Sequence, residues 1–122
     1  MATLTATLTL GSSNTVSNES LALTISKDLT VGKPLVNSGS VLATSASAVP
    51  VFTAAGVTTI SYVYAKNTDG SNSVNLEFAA GSIIAVLGPG EFAFIPWPAA
   101  TGLSVQGVGG DCICEFAYFA KA

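Results

Sequence analysis

The 122-residue chain has the length of one domain with a single core. Only 9% of its residues are charged and 49% are hydrophobic, against roughly 25% charged in an ordinary soluble domain. Its net charge is −3, and its only cations, Lys27, Lys33, Lys66 and Lys121, are scattered along the chain, which excludes the cationic stripe that a nucleic-acid binder needs to displace counterions from phosphates.

The opening segment alternates. Leu4, Ala6, Leu8 and Leu10 fall on one face and Thr3, Thr5, Thr7 and Thr9 on the other, the period of two that predicts a strand with one buried face. Gly11 to Asn18 reads as a polar loop. Leu21, Leu23 and Ile25 repeat the alternation, and Lys27-Asp28 reads as a turn into a short Leu29-Thr30-Val31 strand. Pro34 and the Asn37-Ser38-Gly39-Ser40 cluster break the chain again. Between Val41 and Ala55 the residues are rich in Ala and Ser with Pro50 among them, which favours an irregular strand or loop over a helix.

From Val57 the pattern sharpens. Ile60, Tyr62 and Tyr64 alternate with Ser61, Val63 and Ala65. Asn67 to Asn72 is a turn sequence, and Val74, Leu76 and Phe78 predict the returning strand of a hairpin. Ser82 to Leu87 is apolar on both faces, which predicts a central strand. Gly88-Pro89-Gly90 turns into a strand carrying Phe92, Phe94 and Ile95, ended by Pro96-Trp97-Pro98. Leu103 and Val105 mark a short strand, Gly107 to Gly110 a turn, and Cys112 to Phe119 a final strand. Short strands at regular spacing with no amphipathic helix predict an all-β fold, a β-sandwich or jelly roll of about eight short antiparallel strands, as one domain over residues 1–122.

Mean hydropathy is +0.60, yet the longest apolar run, Ser82 to Leu87, is far below the ~20 residues that span a bilayer. No membrane contact is expected. The start of the chain carries no basic segment followed by an apolar one, so synthesis in the cytoplasm without a secretory signal is expected.

Histidine is absent, which removes the commonest general base and metal ligand and any Ser-His-Asp or Cys-His arrangement. Arginine is absent too, so no guanidinium can clamp a carboxylate or phosphate. The Gly107-Val108-Gly109-Gly110 run precedes a strand and lacks the Lys-Ser/Thr of a phosphate loop. Cys112 and Cys114, two apart on a strand, would share one face; two buried thiols are expected there rather than a disulfide or half a zinc site. Most of the seven acids flank turns, where solvated carboxylates are expected, and an acid pair from separate strands is the one catalytic arrangement left. Asp69 with Asn67 and Asn72 spells either a plain turn or a calcium-holding loop. The reading is of a non-enzyme with no cofactor, no metal and no catalytic residue. Trp97, between two prolines, is either a plug at one end of the sandwich or a ring that anchors a sugar or a partner protein.

The segments Ile60 to Thr68, Val74-Asn75-Leu76, Leu87 to Pro96 and Cys114-Glu115-Phe116-Ala117-Tyr118 resemble those of small accessory virion proteins of tailed bacteriophages, over residues 57–119. The resemblance implies a structural role in the virion: a capsid decoration (cement) protein that binds the major capsid protein or another virion protein, or else a tail or fibre component. It also implies a homo-oligomer, a trimer on threefold axes. A carbohydrate- or receptor-binding module is the alternative. Residues 1–12 are either an ordinary first strand of the chain's own sheet or a candidate attachment arm, in which strand addition would be driven by backbone hydrogen bonds while Leu4, Leu8 and Leu10 set the register. Leu4, Leu8, Leu10 and Trp97 are thus the candidate partner-binding residues.

Overall fold

The computed structural model describes residues 2–11, 22–32, 37–55, 59, 61–78 and 81–121. Within them lie ten strands: β1 (Ala2–Gly11), β2 (Ala22–Val31), β3 (Asn37–Ala43), β4 (Val49–Phe52), β5 (Ser61–Asn67), β6 (Ser73–Phe78), β7 (Ser82–Leu87), β8 (Phe92–Trp97), β9 (Leu103–Val108) and β10 (Cys112–Ala120). The described residues contain no helix. The expected loop at Gly11 to Asn18 lies, after Gly11, outside the described residues.

Eight strands form the body. One four-stranded sheet runs β3-β10-β5-β8 and the other β4-β9-β6-β7, all pairs antiparallel. The pairs β3/β10, β4/β9, β5/β8 and β6/β7 are nested in sequence. A long antiparallel ribbon with its bend at β6–β7, rolled so that successive strands alternate between sheets, gives this order. That is a jelly roll, within the all-β sandwich class expected from the spacing of the strands.

The core lies between the sheets. Val63 and Ala65 of β5, Val74 and Leu76 of β6, Leu103 and Val105 of β9, and Cys112 and Cys114 of β10 are all buried there with Trp97 and Phe52. Period two accounts for it: on each strand every second side chain points inward.

Four expectations are corrected. Asn67 to Asn72 does not close a hairpin, because β5 and β6 belong to different sheets and the turn crosses between them. Ser82 to Leu87 is not central: β7 is an edge strand pairing only with β6, and Ile83 and Val86 are exposed. Lys27-Asp28 is not a turn, since β2 runs unbroken through it, with Lys27 paired to Ala6 and Asp28 to Thr5. The Ser38-Gly39-Ser40 triplet also lies within a strand, β3, and β4 is a strand through Pro50 on a sheet edge, where its missing N–H is tolerated.

Candidate functional site

β1 and β2 form a sheet of their own, an antiparallel hairpin in register from Ala2↔Val31 to Gly11↔Ala22. Each strand has ten residues, a length of about 34 Å. Cross-strand partners share a face. Leu4/Leu29, Ala6/Lys27, Leu8/Ile25 and Leu10/Leu23 therefore make one face, apolar apart from Lys27. Thr3/Thr30, Thr5/Asp28, Thr7/Ser26 and Thr9/Thr24 make the other. On that polar face the Thr5 hydroxyl donates to Asp28 Oδ1 at 2.8 Å, and the Thr7 and Ser26 hydroxyls are 3.2 Å apart.

Among the described residues, only the root of this ribbon is fixed to the body. Val31 bridges to Lys121, and the Gly32 N–H donates to the Ala120 carbonyl at 2.8 Å. Val31 is buried with Tyr62 and Phe119, and Leu4, Leu29 and Ala117 pack around them. This small second core sits on the outer face of the β3-β10-β5-β8 sheet. It explains why Tyr62, an outward residue by its alternation, is buried.

Beyond the root the two surfaces enclose an open cleft of about 770 Å³. One wall is the hairpin's apolar face, including Ala6, Leu8 and Ile25; the other carries Tyr64, Phe92, Phe94 and Pro96 from β5 and β8. The distal side chains of the hairpin, Leu8, Leu10, Leu23 and Ile25, are 41–60% exposed, and Phe92 is 60% exposed. Tyr62 and Phe94 stack with ring centroids 6.0 Å apart. Burial pushes the Tyr64 hydroxyl above its ordinary pKa, and the neighbouring Glu115 carboxylate adds to the shift.

The proposed partner-binding residues thus separate. Leu4 belongs to the root, half-buried against the body. Leu8 and Leu10 lie on the exposed apolar face of β1, a strand that pairs within the chain with β2 over its whole length, so the segment expected as an arm is half of a hairpin. Trp97 does not join them. It is 1% exposed, packed between Phe52 and Phe78, and its indole N–H donates to the Thr101 carbonyl at 2.8 Å. A ring so enclosed plugs the end of the sandwich and has no face to offer a sugar or a partner. The residues missed by sequence reasoning are Phe92 and Phe94 of the body wall. The available signal was that β5 and β8 are apolar on both faces.

Other chemistry-bearing groups are tied into the fold. Cys112 and Cys114 are free and buried on the inner face of β10. Burial pushes both thiols up, Cys114 to about 11. Asp69 accepts hydrogen bonds from the Asn72 N–H at 2.6 Å and the Ser71 N–H at 2.9 Å, which hold its carboxyl below the ordinary 3.8. The carboxylate closes a turn, and the Asn67 side-chain oxygen accepts from the Asp69 N–H at 3.0 Å. Among the described residues no group of three or more His, Cys, Asp or Glu converges on a common point. Glu77 is buried on β6 beside Ser104 of β9, and its Oε2 finds no hydrogen-bond partner among the described residues.

No family model, no curated protein and no solved structure matches this chain.

Proposed function

We propose that this chain is a phage virion structural protein, a decoration protein that docks on a shell built by the major capsid protein and works as a homo-oligomer. The observation that carries the reading is the amphipathic β1–β2 hairpin, rooted on a jelly-roll body by one end and bare over its distal apolar face. A two-stranded ribbon is marginal by itself in water and gains its stability from a surface that covers it. An exposed apolar face with a uniformly polar reverse side is the form expected of an assembly element.

Three further features support it. Jelly rolls serve widely as capsid domains, although a fold alone never fixes a function. The chain carries few charges, so a partner need not desolvate many of them. The strand segments resemble those of accessory virion proteins. Attachment to a tail or fibre would use the same element. A carbohydrate-binding module built on Trp97 is disfavoured, because that ring is enclosed in the core.

The test is electron microscopy of the source particle with an antibody raised against the chain, paired with mass spectrometry of the purified particle. Regular labelling of the shell is expected, with the chain in fixed ratio to the capsid protein. A particle free of the chain would end the virion reading.

A further inference from the structure

We draw no further inference here: the strongest candidate, the open cleft between the apolar face of the β1–β2 hairpin and the aromatic wall of β5 and β8, is walled by a single copy of the chain, and nothing in the structure shows what covers it.

Discussion

Asn67 holds one end of the sandwich together. It is fully buried at an inward position of β5, and its amide nitrogen lies within hydrogen-bond reach of the carbonyls of Asn72 (2.8 Å), Leu87 (3.1 Å) and Gly88 (3.1 Å). Its backbone N–H donates to the Glu91 carbonyl at 2.9 Å, and its carbonyl accepts from the Gly90 N–H at 3.0 Å. One side chain thus ties the β5–β6 crossover to the β7–β8 crossover. Asn67→Ala leaves buried carbonyls unpaired, at about 1–3 kcal/mol per group. A loss of about 2–3 kcal/mol in chemical denaturation is expected, with Tm lower by roughly 10 °C; an unchanged midpoint would show that water replaces the amide. Asp69, in the same turn, gives a pH signature. Its folded pKa lies below 3.8 because backbone N–H groups bond the ionised form. The stability this contributes is fully present above the unfolded value and is lost as pH falls through the folded one. The stability difference between the native chain and Asp69→Ala should therefore be constant at neutral pH and shrink below about pH 4, as urea titrations at successive pH values would show. At Cys112 and Cys114, burial and raised pKa values leave little thiolate. A disulfide reagent at pH 8 should modify them only as fast as the protein unfolds, and rapid labelling of the native state would contradict their burial.

At the scale of the element, the hairpin divides into a root that is part of the fold and a distal half that is not. Val31 is 1% exposed between Tyr62 and Phe119, and Val31→Ala should cost about 2 kcal/mol through the cavity it leaves. Ile25→Ala, on the exposed distal face, should change the unfolding free energy of a dilute monomer by no more than about 0.5 kcal/mol. Equal effects at the two positions would mean that the ribbon lies flat on its own body. The larger core between the sheets contains no residue of β1 or β2. A chain lacking residues 1–12 is accordingly expected to keep its near-ultraviolet circular dichroism while failing to assemble, and its unfolding would assign β1 to the domain proper.

Across the whole molecule, local alternation was legible and partnership was not. Thr3 to Leu10 and Ser61 to Ala65 announce strands because period two follows from the pleat alone. The sheet each strand joins depends on contacts distant in sequence, and assuming that neighbours pair fails in a jelly roll, where successive strands change sheets. The edge position of β7 was hidden because apolar residues on both faces read as full burial, whereas Ile83 and Val86 face outward uncovered. Lys27-Asp28 read as a turn because polar residues interrupt a strand's pattern; in a ribbon with one wet face and an open cleft they cost little. The anchor Asn67 could have been found, as a polar residue in the inward series Val63, Ala65, Asn67. The apolar hairpin face was readable from Leu4, Leu8 and Leu10, but the aromatic wall opposite it was not, since nothing local says that β5 and β8 lie side by side.

The nested order of the strands also governs how the chain acquires its shape. Ala43 of β3 pairs with Cys112 of β10, so the first body strand waits for the last. Closing so long a loop must precede the contacts that compensate for its entropy, and folding on the millisecond-to-second scale follows. On a ribosome β10 emerges last, and until then β3 and β5 lack the strand that joins them. The β1–β2 ribbon, joined by a short connection, suffers no such delay and can close within microseconds. Every nascent chain therefore passes through an interval in which its sticky ribbon exists and its body does not. Stopped-flow refolding followed by Trp97 fluorescence, compared with arrest of translation before residue 112, would time that interval. Polysomes crowded with such chains would be the place where copies first meet.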